Sequence, residues 1–220
     1  MLRVEGLIKK YRKELAVNGI SFSLDGGEVV GLLGPNGAGK STTMKCIVGL
    51  LRKTAGNITI DGHDHQSIAA KKIFSYIPET PYVYDLLTVK EHLQFIAQAY
   101  DVKDWRKKAD ELIQIFELGD KTDKLGRDLS KGMRQKVSIC CALLPEPKIL
   151  FFDEPMIGLD PKAIKNTKGI FKALKEEGKT ILVSTHLVDS VETIADRIMI
   201  MKEGQIIGND SFSNLKATWR

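Results

Sequence analysis

The chain has 220 residues, 43% of them hydrophobic and 28% charged, enough for a sizeable core and too apolar for extended disorder. Its longest uninterrupted apolar stretch, Ile139 to Leu144, falls far short of the roughly 18 residues of a membrane span. The first residues lack the apolar region of a secretion signal and three cysteines make no disulfide framework, so a reducing cytoplasm is expected. The net charge of +5 suits an anionic partner (nucleic acid, an anionic membrane face or a phosphate-bearing ligand). The Lys and Arg residues are spread along the chain rather than gathered in a basic arm, which argues against a dedicated nucleic-acid role.

Leu2–Ile8, Ile20–Leu24 and Asn57–Ile60 read as short strands separated by turn residues such as Asp25-Gly26-Gly27, a small and mostly antiparallel layer. Five nearly continuous apolar runs follow a different rule: Val29–Leu33, Ile73–Ile77, Ile149–Phe152, Ile181–Val183 and Ile198–Met201. Unbroken runs without alternation are strands covered on both faces, as in a parallel sheet between helices. From about Glu79 to Arg134 the pattern is helical. Thr88 and Glu91 form a capping box ahead of an apolar face of Leu93, Ile96, Ala97 and Tyr100. Asp104 is expected to cap a second helix with the stripe Trp105, Ala109, Leu112, Ile113 and Phe116, stopped at Gly119. Pro161 opens a later helix after Asp160 as N-cap, with Ile164, Thr167, Phe171 and Leu174 on one face. The fold class is α/β with a mostly parallel sheet. Residues 1–78 and 135–220 are expected to form the core with its N-terminal β layer, and 79–134 an inserted helical subdomain, within one domain spanning 1–220.

Gly34-Pro35-Asn36-Gly37-Ala38-Gly39-Lys40-Ser41-Thr42 follows the Val29–Leu33 strand and opens a helix running to about Leu50, the strand–loop–helix setting of a P-loop. Its backbone N–H groups can turn toward phosphate oxygens at a helix N-terminus. Lys40 supplies a charge to the β- and γ-phosphates, and the Ser41 hydroxyl is a Mg²⁺ ligand. A second acidic group is expected on a neighbouring strand, and the run from Lys148 ends in Asp153 and Glu154. Asp153 is assigned to Mg²⁺ through water; Glu154 can reach a water in line with the γ-phosphate as general base. The adjacent acids, with no Asn-Lys-x-Asp segment to read guanine, favour ATP over GTP. Ile181–Val183 ends in Ser184-Thr185-His186, which places His186 near the same edge, where a neutral imidazole can donate to the γ-phosphate.

Taken together, these motifs resemble the ATP-binding domain of ABC transporters over essentially the whole chain. Leu129-Ser130-Lys131-Gly132-Met133, followed by Arg134-Gln135-Lys136, looks like the family's signature motif. Ile157-Gly158-Leu159-Asp160 resembles the D-loop, His186 the switch histidine, and Tyr11 the aromatic that stacks on adenine. The resemblance implies a P-loop NTPase three-layer core with a mostly parallel sheet, a small antiparallel β subdomain and an inserted α-helical subdomain. Two departures stand out: Lys131 and Met133 replace the signature's second Gly and its Gln, and Glu79 in Pro78-Glu79-Thr80-Pro81 replaces the usual Gln. Ser130 and Gly132 are retained, so contact with a γ-phosphate stays feasible, Lys131 reads as a solvated charge, and Glu79 can accept a Mg²⁺-bound water. Pro-Glu, the Leu87-Thr88-Val89 segment and the Lys-Gly-Met signature look like the drug- and antibiotic-export (ABC-2) type branch.

The resemblance further implies ATP and Mg²⁺ as ligands and a motor subunit that dimerises head to tail with a second ABC ATPase domain. Ser130 and Gly132 of one domain would then cap ATP held by Lys40 of the other. Glu79 would pass closure to a permease on a separate chain, with the subunit peripheral on the cytoplasmic face of the membrane and no nucleic acid involved. The competing reading is a soluble ABC-type ATPase acting on an assembly, ribosome or DNA. Asp61-Gly62-His63-Asp64-His65 reads as a polar loop rather than a metal site, and His92 as surface or packing. Cys140, Cys141 and Trp105 read as core and helix-anchoring residues.

Overall fold

Apolar runs bounded by turn residues fold as strands, and the helical periodicities between them as helices, in a computed structural model that describes residues 1–157 and 161–218. In chain order the elements are β1 (Leu2–Tyr11), β2 (Glu14–Leu24), β3 (Val29–Leu33), α1 (Lys40–Ile47), β4 (Ala55–Ile60), β5 (His63–Asp64), α2 (Ile68–Lys71), β6 (Phe74–Ile77) and α3 (Val89–Ala99). They continue with α4 (Trp105–Ile115), α5 (Lys131–Leu143), β7 (Ile149–Asp153), α6 (Pro161–Glu176), β8 (Thr180–Thr185), α7 (Val188–Val191), β9 (Arg197–Lys202), β10 (Gln205–Asp210) and α8 (Phe212–Thr218). The chain divides into two compact units, residues 1–76 with 148–220, and residues 77–147. Residues 135–147, placed with the core from sequence, fall in the second unit because α5 runs unbroken through them from Lys131. No helix among the described residues is long and apolar enough to cross a membrane.

In the first unit the main sheet has the order β10-β9-β3-β8-β7-β6, with β3 parallel to both β8 and β9, and β7 parallel to β8. Every residue of β3, β7 and β8 is buried, as unbroken apolar runs demand. The edge strand β10 is antiparallel to β9, and its mixed composition gave no apolar run to find it by. The second sheet, β2-β1-β4-β5, is antiparallel, and its first hairpin is longer than the apolar segments suggest, pairing as far as Tyr11 with Glu14. One core joins the layers: Leu7, Ile58 and Ile60 from the antiparallel sheet pack in a cluster with Met44 and Ile47 of α1 and with Leu32 and Phe151 of the main sheet. Each such side chain contributes roughly 1.5–3 kcal/mol by its burial. Helix α1 stops at Ile47 rather than Leu50, because Gly49 takes a φ of +77°.

Within the second unit, the Thr88 hydroxyl accepts from Glu91 N at 3.2 Å while Glu91 Oε2 accepts from Thr88 N at 2.7 Å, the expected capping box. The buried face of α3 is Val89, His92, Leu93 and Ala97; Tyr100 is exposed. His92 is therefore a packing residue. Its Nδ1–H donates to Thr88 O at 2.6 Å and its Nε2 accepts from Tyr84 N at 2.8 Å, tying the loop before α3 to the helix. Helix α4 departs from expectation at both ends. Asp104 adopts a left-handed φ of 50° and makes no side-chain cap, and the helix closes through left-handed Glu117 (φ 54°) ahead of Gly119. Ala109, Leu112, Ile113 and Phe116 are buried, whereas Trp105 is half-buried beside the Arg106 guanidinium. Cys140 is buried in α5 and Cys141 half-buried beside it, and desolvation pushes the Cys141 thiol up to about 12, which disfavours the reactive thiolate.

The Asp61–His65 segment is more ordered than a polar loop. β5 pairs antiparallel with β4, and His65 is fully buried with Nδ1–H donating to Ile47 O at 2.9 Å, at the C-terminal end of α1. Desolvation holds both His65 and His92 below the ordinary histidine value. The unfolded chain takes up a proton at each near pH 6.5 while the folded chain resists it, so their stabilising contribution is complete above about 6.5 and lost as pH falls. The thermal midpoint is expected to drop between pH 7 and pH 5, with a shallower drop when either ring is replaced by a non-titrating side chain. A midpoint that does not move over that range would contradict the burial of neutral rings.

Candidate functional site

Parallel registration decides which residues share an edge of the main sheet. Leu33 of β3 pairs with Thr185 of β8, and Asp153 of β7 pairs with Ser184. The glycine-rich loop, the acidic pair and Ser184-Thr185-His186 therefore leave the sheet side by side at its C-terminal edge, where open α/β sheets bind ligands. The loop is held down by Gly34 N donating to Thr185 O at 3.3 Å and by Gly204 N donating to Ala38 O at 3.0 Å. Two glycines are required sterically. A Cβ on Gly34 would lie 2.2 Å from Met201 O; one on Gly39, which also has a φ of +104°, would lie 2.4 Å from Ala16 O. Pro35, Asn36 and Gly37 form an exposed crest, Ala38 is buried beneath it, and Thr42 lies half-buried in the first turn of α1. Gly39 is the N-cap of α1 and no side chain caps that end. The first-turn amides have no intrahelical acceptor, which leaves a helix N-terminus open to an anion.

Lys40 is 5% exposed, and its ammonium donates to Gly34 O at 2.8 Å and Pro35 O at 3.2 Å and pairs with Glu154 Oε1 at 3.2 Å. Glu154 holds an uncommon left-handed φ of 48°, fixed by its N–H donating to the Ser184 carbonyl and hydroxyl. Its other oxygen, Oε2, lies 3.2 Å from His186 Nδ1. Because a carboxylate only accepts, Nδ1 carries the proton in this contact, and a neutral ring then keeps Nε2 as an acceptor. The donation to a phosphate that the sequence suggested for a neutral ring therefore competes with this contact, since the one ring proton is spent on Glu154.

Asp153 is 2% exposed and accepts from Ser41 Oγ at 2.8 Å, Ser184 Oγ at 2.6 Å and Tyr76 OH at 3.0 Å. Tyr76 and Ser184 were not assigned from sequence. Ser184 belonged to the Ser-Thr-His segment, and Tyr76 had no signal that set its hydroxyl apart from that of Ser75 beside it in the same strand. Lys40, Ser41, Asp153, Glu154 and His186 are thus brought together. Tyr11 ends β1 at 40% exposure, with the Lys9 ammonium 4.7 Å from its ring centroid. Glu79, Ser130 and Gly132 belong to the second unit. Glu79 is exposed; Ser130 is the N-cap of α5, its hydroxyl accepting from Met133 N at 3.3 Å; and a Cβ on Gly132 would meet nothing within 4 Å. Of the D-loop segment, Gly158, Leu159 and Asp160 lie outside the described residues.

A profile described as ABC transporter matches residues 17–157 of the chain. The chain belongs to the ABC transporter family. The ABC-type transporter ATP-binding protein EcsA of Bacillus subtilis is 36% identical across 98% of this chain and 89% of its own length. The daunorubicin/doxorubicin resistance ATP-binding protein DrrA of Streptomyces peucetius is 36% identical across 99% of this chain and 67% of its own length. Among solved structures, the dimeric post-hydrolysis state of an ATP-binding cassette bound to ADP and Pi superimposes with a TM-score of 0.87 at 27% identity, covering 96% of this chain and 98% of that one. This member of the family is accordingly an ATP-binding subunit and an ATPase, built on the P-loop NTPase fold expected from its motifs.

Proposed function

We propose that this ABC ATPase binds Mg-ATP at the C-terminal edge of its main sheet, closes head to tail on a second ABC ATPase domain, and drives export through a permease on a separate chain. The observation that supports this best is the convergence of Lys40, Ser41, Asp153, Glu154 and His186 at one sheet edge beside the open N-terminus of α1. The loop from Gly34 to Thr42 wraps the phosphates, and Lys40, already aimed at its own loop's carbonyls, places its charge on the β- and γ-phosphates. Ser41 and Asp153 form a hard-oxygen donor pair suited to a small divalent cation. Magnesium bound there neutralises charge developing on the phosphates. Glu154 accepts the proton of the attacking water, and His186 orients that carboxylate. The exposed Tyr11 ring offers a face to adenine.

The head-to-tail arrangement is supported by Gly132, whose lack of a side chain nothing nearby in its own unit requires, and by the exposure of the neighbouring Ser130 N-cap. Close approach of the partner's nucleotide supplies a reason for the glycine. Lys131 is exposed and stays a solvated charge. Export is supported by the drug-resistance name of one relative. On this reading the subunit works peripherally at the cytoplasmic face of the membrane, with no nucleic-acid partner. Capture of the tagged chain from detergent-solubilised host membranes with Mg-ATP is expected to bring down a stoichiometric multi-span protein. A ribosomal, DNA-associated or wholly soluble partner in its place would overturn the transporter reading and leave the ATPase intact.

A further inference from the structure

We propose that Tyr76 and Ser184 are positioning residues that lock the Asp153 carboxylate in one orientation and thereby set the cation affinity of the site, a role that rests on the reading of Asp153 as a Mg²⁺ ligand. An aspartate left to itself turns broadly about its terminal torsion, so a single contact on one oxygen does not define where the other points. Asp153 is bonded on both. Oδ1 accepts from Ser41 and Ser184, at 2.8 and 2.6 Å, and Oδ2 accepts from Tyr76 at 3.0 Å.

The directions of these bonds follow from chemistry. A carboxylate has no proton to give, so all three hydroxyls donate to it. Ser41 thus spends its one proton on Asp153, which turns the lone pairs of its oxygen outward as cation ligands. Ser184 spends its proton on Asp153 as well, and its oxygen accepts from Glu154 N at 3.0 Å. One buried hydroxyl therefore fixes both the carboxylate assigned to the cation and the backbone of the carboxylate assigned to the water. Tyr76 reaches Oδ2 from β6, the strand beside β7, and leaves that oxygen a second lone pair for the ion or its water. Partners of this kind, which touch the ligand and not the metal, typically govern metal affinity by ten- to a hundredfold.

Tyr76→Phe removes one oxygen and keeps the ring, and Ser184→Ala removes the other hydroxyl. The readout is Mn²⁺ binding in the presence of ADP, followed by electron paramagnetic resonance, beside ADP binding in chelator followed by calorimetry. Each substitution is expected to weaken Mn²⁺ about tenfold while metal-free ADP affinity stays at the wild-type value. A merely structural role would instead lower both affinities together, and that result overturns the proposal. So does wild-type Mn²⁺ affinity in Tyr76→Phe and Ser184→Ala when Asp153→Asn has lost it. If Asp153→Asn itself keeps the metal, the magnesium reading of Asp153 is what fails. Should one of the two hydroxyl variants not fold, the other decides.

Discussion

Replacing Lys40 with alanine is expected to weaken ATP binding by at least a hundredfold, from the loss of a desolvated, charge-assisted contact to phosphate. The ammonium has three protons, and its three acceptors in the structure are Gly34 O, Pro35 O and Glu154 Oε1. Alanine removes that charge and leaves the Glu154 carboxylate, 6% exposed, without its cationic partner and near the phosphates. Both changes oppose an anion. Breaking a buried pair from one side costs roughly 3–5 kcal/mol of stability, so reduced binding alone could reflect a weakened fold. The double variant Lys40→Ala/Glu154→Gln separates the two. It removes the orphaned charge and is expected to recover most of the melting temperature while binding stays lost. Calorimetric titration of both variants with ATP makes the comparison, and undiminished affinity in either would refute the assignment of this loop to phosphate.

The parts of this site that were legible in the sequence are those where backbone and pattern coincide. β3, β7 and β8 carry apolar residues on both faces, so their runs gave strands; the glycine-rich loop after the first supplied Lys40, and the ends of the other two supplied Asp153, Glu154 and, beside those motifs, His186. Hydroxyl partners were less visible. Tyr76 sits in a short strand beside a second hydroxyl, Ser75, and nothing in its neighbours says that its oxygen is the one that meets Asp153 across to the next strand. Helix ends failed for a local reason: Asp104 and Glu117 both take left-handed φ values, a conformation that sequence rules award to Gly or to a capping side chain. His65 shows a further limit, because a residue just past a turn folded back under α1, a tertiary contact with no periodic signature. Ser130 and Gly132 were assigned a nucleotide role only by resemblance, since the Ser130 hydroxyl is already explained locally as the N-cap of α5 and nothing near Gly132 demands a missing Cβ.

Glu154→Gln is expected to leave ATP bound and to remove hydrolysis, for reasons the same geometry supplies. Glutamine matches the size and hydrogen-bonding reach of the carboxylate, so the left-handed backbone and its bonds to Ser184 are kept. What disappears is the acceptor for a proton from water, a contribution of roughly 10²–10⁴ in rate. Loss of the negative charge also frees Lys40, 3.2 Å away, from its competing partner, so affinity for ATP is expected to hold or rise. A nucleotide that is held and not cleaved keeps in place the surface against which Ser130 and Gly132 of a second copy close, and the variant should accumulate as a dimer at saturating Mg-ATP. Single-turnover phosphate release measures the first effect and light scattering the second, and they fail separately. Residual hydrolysis near the wild-type rate would take the general-base role away from Glu154. A monomer that binds ATP without hydrolysing it would leave that role standing and remove the head-to-tail closure, since the bound nucleotide would then lack the partner contact assigned to Gly132.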